Sequence, residues 1–152
     1  PEHATPVKRA CFKKLTMHQV LKQCIDAMNV AYKDISVYDI HSVVIEKQPP
    51  CNPKMKAIAT AVHTFFILRF DIRCICYSHA KNKWTILKDH GYMEQGRKKM
   101  SYKTGKNIAV QGVTSMLARD STWRNCLQSS RKQDDLADSF LHTVWQINRV
   151  TK

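Results

Sequence analysis

The stretch SVVIEKQPPCNPKMKAIATAVHTFF, residues 42–66, decides the fold class of this chain. Its first part, residues 42–47, is a short run rich in β-branched side chains, which predicts a β-strand. The prolines within residues 49–53 end that strand, because proline cannot donate a backbone hydrogen bond to a sheet. Asn52 is a favourable N-cap, and the proline after it suits the first turn of a helix. We therefore expect a strand followed by a long helix over residues 53–68.

The segments on either side continue this alternation. Residues 15–32 carry apolar side chains at helical spacing, with Thr16 as a candidate N-cap, and residues 71–77 read as a second apolar strand. The polar, basic residues 78–102 predict a long loop with a little local order. Further helices are expected over residues 103–118, 121–128 and 134–149. The pattern is typical of an α/β protein whose central sheet is flanked by helices. Two strands are too few for such a sheet, so either residues 37–40 add to it or strands are missing from the chain.

The composition indicates one domain of 152 residues with an ordinary apolar content of 43%. The longest apolar run is interrupted by His63 and Thr64, so no membrane span or membrane partner is expected. Lys and Arg number 25 against 12 Asp and Glu, which gives a net charge of +13. Such an excess favours a polyphosphate partner over the alternative, a basic protein that is merely soluble.

The basic residues are concentrated in one segment. Between Lys81 and Lys106 there are eight basic residues and two acids, with Trp84, Tyr92 and Tyr102 interleaved. Basic side chains displace counterions from phosphates, and aromatic rings stack on exposed bases. This segment is therefore predicted to bind nucleic acid.

The six cysteines do not form a zinc motif. No pair is spaced Cys-x-x-Cys, and no His pair follows one at the spacing of a zinc finger. We expect the cysteines to be small apolar core residues of an intracellular protein in a reducing compartment. Cys74 and Cys76 would face the same side of a strand.

The sequence KQDDLADSF, residues 132–140, gathers three of the twelve acids of the chain. Asp134 and Asp135 have an ordinary explanation, because acids at a helix start can cap it and interact with its dipole. Asp138 is past the first turn and borders an apolar stripe made by Leu136, Phe140, Leu141 and Val144, so it should be half-buried. Like charges this close repel unless a cation or proton intervenes, and a hard divalent cation suits oxygen ligands. The alternatives are thus an acidic helix start and a metal site.

Glu46 presents a carboxylate where the first strand ends. Ligands of open α/β sheets bind beyond the carboxyl ends of the strands. The alternative is a strand-end glutamate paired with Lys47 or Lys54.

Taken together, VVIEKQP, the strand ICYS and KQDDLADSFL resemble the RuvC-type Holliday junction resolvases, and most closely the branch of poxviruses and other large DNA viruses. The resemblance covers residues 42–149. It implies a ribonuclease-H-like fold, a homodimer and Mg²⁺-dependent cutting of four-way and branched DNA junctions, with Mn²⁺ able to substitute and no small-molecule cofactor. A poxvirus-like protein would act in the host cytoplasm.

The resemblance also implies roles for individual residues. Glu46, Asp135 and Asp138 match catalytic metal ligands, and Asp134 matches an additional acid of the viral branch that could join them. Either Lys103 or Lys106 matches the basic residue near the scissile phosphate. The residues expected to contact DNA are Gln48, Lys81, Lys83, Arg97, Lys98, Lys99, Lys103 and Lys106, and Gln48 could instead support Glu46.

One feature of the family has no counterpart here. Its first strand carries an Asp followed closely by Gly, whereas this chain has no glycine before Gly91. We therefore expect a single domain over residues 1–152 that lacks its N-terminal hairpin, and activity of the chain alone is in question. The alternatives are a non-catalytic nucleic-acid-binding module on the same fold, a generic ribonuclease-H-like nuclease, and an unrelated basic α/β protein with a capped acidic helix.

Overall fold

A computed structural model describes residues 15–36, 40–70, 72, 74–93 and 101–151. The chain forms two compact units, Pro1–Cys76 and Tyr77–Lys152. In chain order the elements are α1 (Met17–Ala31), β1 (Val43–Glu46), α2 (Pro53–Phe70), β2 (Ile75–Ser78), α3 (Asn82–Asp89), α4 (Tyr102–Met116), α5 (Ser121–Ser129) and α6 (Gln133–Val150). None of the described helices is both long enough and apolar enough to cross a membrane.

The first unit begins with α1, whose predicted cap is confirmed. The Thr16 hydroxyl accepts a hydrogen bond from the Gln19 backbone, and the Gln19 side chain accepts one from the Thr16 backbone. This reciprocal pair satisfies two amides that a helix start otherwise leaves without a partner. The predicted cap of α2 is confirmed in the same way, because the Asn52 Oδ1 accepts from the Met55 amide at 3.2 Å.

The two predicted strands pair with each other in parallel through the α2 crossover. The Val43 amide donates to the Cys74 carbonyl at 3.0 Å, next to the start of β2. Helix α2 packs on both α1 and β1. Four aromatic rings fill this unit: Tyr32, Phe65, Phe66 and Phe70 pack edge-on or tilted, and Tyr32 and Phe66 have centroids 5.1 Å apart. Such packing adds to the free energy gained from apolar burial.

The second unit is built around α6, which packs against α3, α4 and α5. Its buried core is Ile86, Leu87, Ala109, Val113, Leu127, Ala137 and Leu141. Gly112 lets α4 approach α3 closely, because a Cβ at this position would lie 2.5 Å from the Leu87 Cδ2 atom. A larger residue at this position would require the buried Leu87 side chain to shift.

Part of the predicted loop over residues 78–102 is wrong, because α3 lies within it. The buried face of α3 consists of Asn82, Ile86 and Leu87. Because polar Asn82 belongs to this buried face, the sequence does not show a continuous apolar stripe at helical spacing. A helix this short is also stable only when tertiary contacts support it, so its local sequence gives a weak signal.

The predicted burial of the cysteines is wrong in part. Cys51, Cys74 and Cys126 are exposed and so are not core residues. Leu136 is 41% exposed, while its neighbour Ala137 is completely buried in the core. The ribonuclease-H-like sheet and the single-domain organisation stay predictions, and most of residues 37–40 lies outside the described part of the chain.

Candidate active site

Helix α6 presents the acidic cluster, but not as a capped helix start. The helix begins at Gln133, and its N-cap residue Lys132 makes no capping bond through its side chain. Asp134 and Asp135 therefore lie inside the first turn, and Asp138 lies one turn further on. Asp134 is therefore not the N-cap, which was one of its possible roles, but its place in the first turn agrees with the other, an interaction with the helix dipole. Its carboxylate bonds to a lysine of α4.

That lysine is Lys106. Its ammonium donates to the Asp134 Oδ2 atom and lies 4.8 Å from the centre of the Tyr102 ring. The hydrogen bond to Asp134, followed by the contact with Tyr102, raises the pKa of Lys106 above its ordinary value. The same hydrogen bond lowers the pKa of Asp134. Both groups are thus held in their charged forms. Of the two candidate lysines, Lys106 contacts the acidic cluster, whereas Lys103 is exposed.

Asp138 is paired with Lys83 of α3. The Lys83 Nζ lies 2.5 Å from the Asp138 Oδ2, and the two side chains are 14% and 31% exposed respectively. The prediction that Asp138 is half-buried is confirmed. Lys83 was expected on a DNA-binding loop, but α3 turns its ammonium towards α6.

Asp135 is the most accessible of the three acids. Its carboxylate lies 3.4 Å from the Lys132 ammonium, and both side chains are about two-thirds exposed, at 65% and 64%. All three carboxylates of α6 therefore have a lysine beside them, and Asp135 has the pair that is most easily separated.

A buried polar network lies one turn beyond Asp138. The Ser78 hydroxyl is 2.7 Å from the His142 Nδ1, and the Asn82 side-chain amide donates to the same hydroxyl at 3.1 Å. Ser78 is completely buried, and the other two are nearly so. The hydroxyl can donate its own hydrogen to a neutral imidazole while it accepts from Asn82. This network ties the end of β2 and α3 to the helix that carries Asp138.

Sequence analysis missed the members of this network. Their only sequence signal is the spacing of four residues between Asp138 and His142, which puts both on one face of α6. Ser78 and His142 are 64 positions apart, so their contact leaves no local pattern.

In the first unit, Glu46 ends β1 as predicted and is half-buried. The Gln48 side chain folds back and donates to the Glu46 backbone carbonyl at 3.1 Å. Of its two predicted roles, this contact favours supporting Glu46. The bond gives the backbone carbonyl of Glu46, the last residue of β1, a hydrogen-bond donor.

The remaining predicted DNA contacts are placed only in part. Lys81 is the exposed N-cap residue of α3. Arg97, Lys98 and Lys99 lie outside the described residues.

The acids have the right chemistry for a hard divalent cation, since such ions prefer carboxylate oxygens. Each carboxylate of α6 already attracts a lysine ammonium, so this surface favours positive charge. Among the residues that the structure describes, no three His, Cys, Asp or Glu side chains gather into a metal-binding group. The donor type therefore fits Mg²⁺ or Mn²⁺, while the ligand set stays a prediction.

Comparison with known proteins identifies relatives in large DNA viruses. A protein of Acanthamoeba polyphaga mimivirus, named Uncharacterized protein L451, is 29% identical over 148 residues, which cover 90% of this chain and 36% of that protein. The chain thus spans about a third of the length of that relative. No solved structure matches the chain. The sequence pattern of the family described as Poxvirus A22 protein matches residues 14–149, most of the chain. The chain therefore belongs to the Poxvirus A22 protein family, the family of the poxvirus Holliday junction resolvases.

Proposed function

We propose that this chain is the nuclease part of an enzyme that resolves four-way and branched DNA by metal-assisted hydrolysis of phosphodiester bonds. The observation that carries the proposal is the acidic face of α6, with Lys83 and Lys106 held against Asp138 and Asp134, in a member of a resolvase family. The net charge of +13 supports a DNA partner.

Glu46, Asp135 and Asp138 are the proposed ligands of Mg²⁺ or Mn²⁺, with Asp134 as an additional acid. The bound ions would activate the attacking water and stabilise charge on the phosphate and the leaving oxygen. Gln48 supports this role by bonding to the Glu46 backbone at the end of β1. The Ser78–His142 bond supports it on α6, because it limits rotation of the helix face that carries Asp138.

The two lysines are proposed to exchange partners when DNA binds. A phosphate oxygen is an acceptor of the same kind as a carboxylate oxygen, and lysine binds either as a point charge. Lys106 is 35% exposed, so its ammonium can reach a phosphate without unfolding α4. Release of Asp134 and Asp138 by their lysines would then leave the carboxylates available at the moment when the DNA arrives.

Lys81 and Lys103 are exposed and are proposed to contact the DNA backbone, together with the basic residues 97–99. Such contacts position DNA without reading its sequence. Selection of four-way junctions is proposed to come from a homodimer, whose two-fold axis presents two equivalent sites to two strands.

The test is the variant Asp138→Asn, which removes one negative charge and keeps the shape of the side chain. We expect cleavage of a four-way junction in Mg²⁺ to fall by more than roughly 100-fold, the upper end of what is typical when only a residue behind a metal ligand is changed. Junction affinity, measured by fluorescence anisotropy in EDTA, should stay within about twofold. Asp26→Asn is the matched control, because Asp26 is an exposed acid of α1 that pairs only with Lys22 among the described residues. Normal cleavage by Asp138→Asn would exclude Asp138 from the active site.

A non-catalytic DNA-binding module is the second candidate. It is favoured by one observation: each carboxylate of α6 has a lysine counterion. This candidate predicts that the wild-type chain binds junctions and leaves them intact even in Mn²⁺.

A further inference from the structure

We propose that an apolar cleft beside Trp123 binds one unpaired nucleobase of the branched DNA. The inference rests on the proposed function, since it takes DNA as the partner. It adds that the protein selects DNA with an unpaired base.

The cleft lies between α4, α5 and α6 and has a volume of about 220 Å³. Val113 and Leu127, both buried, form its floor, and Phe140 lines its wall. Its rim includes Trp123 and Leu136, which are 63% and 41% exposed. A slot with an apolar floor and an aromatic rim suits a flat ring whose edges stay in contact with water.

The backbone that carries Trp123 is fixed by a helix cap. The Trp123 backbone amide donates to the Asp120 Oδ1 at 3.0 Å, which fixes the first turn of α5. Trp84 and Trp145 pack against the core of this unit, and each has a cationic side chain over its ring. Within the described chain, the Trp123 ring has no aromatic or cationic partner of this kind. It is therefore the tryptophan that is available to stack on a ligand.

The chain segment that supplies α5 to the cleft is basic. Residues 117–132, which include α5, contain one acid, Asp120, and its carboxylate is already occupied as the helix cap. The basic residues of the same segment are Arg119, Arg124, Arg131 and Lys132. This charge complements the phosphates on either side of a base, and it does not favour an apolar or basic protein segment.

The register of α6 relates the cleft to the acidic cluster. Ser139 and Thr143 line the cleft, and Asp135 precedes Ser139 by one turn on the same face. A helical turn rises about 5.4 Å, so Asp135 lies within about one turn of the cleft. A base in the cleft would therefore hold its own phosphate near Asp135. Asp138 belongs to the other row of α6, which faces α3 and the Ser78 network.

This geometry predicts selection for unpaired bases. A paired base must be unstacked before it can enter a cleft, and the cost is smallest for a base that is already unpaired. Four-way junctions with an unpaired nucleotide at the branch point should thus bind better than fully paired DNA of equal length.

The affinity test uses Trp123→Ala and Trp123→Phe, with Asn125→Ala as the control at an exposed neighbour on α5. Anisotropy is measured in EDTA, so that cleavage plays no part. Trp123→Ala should weaken binding to a junction with one unpaired nucleotide by roughly 5- to 100-fold, from the strength of base–aromatic stacking. Its affinity for fully paired duplex should stay within about twofold, and Trp123→Phe should recover part of the loss.

The spectroscopic test uses the variant Trp84→Phe/Trp145→Phe, in which Trp123 is the sole tryptophan. Its fluorescence should be quenched by the junction with an unpaired nucleotide and much less by the duplex, although both DNAs are bound. Equal responses to the two DNAs, together with an unchanged affinity of Trp123→Ala, would overturn the proposal. A change in sedimentation of Trp123→Ala without a change in DNA affinity would show that the cleft is an interface between protein chains, and would overturn it as well.

The outcomes separate this proposal from the proposed function. Quenching by DNA that is never cut supports the cleft and contradicts the nuclease. Normal cleavage without any DNA-dependent change in Trp123 fluorescence contradicts the cleft proposal alone. Failure to bind any DNA contradicts both.

Discussion

The ion pair between Lys83 and Asp138 should stabilise the second unit more than any pair on its surface. The variant Lys83→Met removes the charge and keeps most of the apolar stem, so it tests the electrostatic contact with little change in packing. It leaves the Asp138 carboxylate 31% exposed beside α3 without its lysine. We therefore expect the free energy of unfolding to fall.

The magnitude follows from burial. Two unit charges about 4 Å apart attract by about 4 kcal/mol at an effective dielectric constant of about 20, and desolvation cancels part of this attraction. Breaking a fully buried pair typically costs about 3–5 kcal/mol, and an exposed pair is worth about 0.2–1 kcal/mol. Lys83 and Asp138 are 14% and 31% exposed, which lies between these limits. The expected loss is about 1–2 kcal/mol.

Lys132→Met is the matched control, because Lys132 and Asp135 are 64% and 65% exposed and pair at 3.4 Å. Its expected loss is below about 0.5 kcal/mol. Urea unfolding followed by tryptophan fluorescence is the appropriate assay, since Trp84, Trp123 and Trp145 all lie in the second unit. With a slope of about 2 kcal/mol per molar urea, the middle of the usual range, Lys83→Met should shift the midpoint by roughly 0.5–1 M.

A double-mutant cycle with Asp138→Asn isolates the pair from other effects of each substitution. We expect a coupling energy of about 1 kcal/mol. Equal midpoints for Lys83→Met and Lys132→Met, or a coupling energy near zero, would refute the argument that burial makes this pair strong.

Two further predictions concern the same unit. Ser78→Ala removes the hydroxyl that joins His142 to Asn82, so two buried polar groups lose a partner, and the free energy of unfolding in urea should fall by about 1–3 kcal/mol. The control is the exposed Ser129→Ala, which should change it by less than about 0.5 kcal/mol. Similar losses for both variants would contradict the network. The lowered pKa of Asp134 means that its carboxylate contributes stability above its ordinary pKa, and that this contribution is lost as the pH falls through the folded-state pKa. An NMR pH titration should therefore show the pKa of Asp134 rise towards its ordinary value in Lys106→Met, and an unchanged titration would contradict the contact.

Local chemistry explains which elements were predictable. Thr16 and Asn52 cap the first two helices through bonds to residues three positions away, so their signals are contained in short windows of sequence. The helix α3 was missed because its buried face includes Asn82, which bonds to Ser78. No local pattern distinguishes a polar residue with a buried partner from a polar residue of a loop.

The acidic cluster was predictable as a set of residues but not as a set of contacts. A helix cap was one explanation for Asp134, and the structure instead places it inside the first turn and pairs it with Lys106, 28 positions away. Lys83 was expected to face DNA, and it pairs with Asp138, 55 positions away. The predicted membership of the poxvirus resolvase branch is confirmed by the match over residues 14–149. The relation to RuvC-type enzymes, the ribonuclease-H-like fold, the bound metal and the homodimer stay predictions.

The sequence by itself determined the net charge, the caps of α1 and α2, the two strands and the acidic start of α6, because each depends on composition or on residues a few positions apart. Only the tertiary structure decided which lysine lies beside which aspartate, that Ser78 and His142 share a buried bond, and that Trp123 stands at the rim of a cleft. These contacts join residues that are distant along the chain, and their strength depends on how much water the folded unit excludes around them.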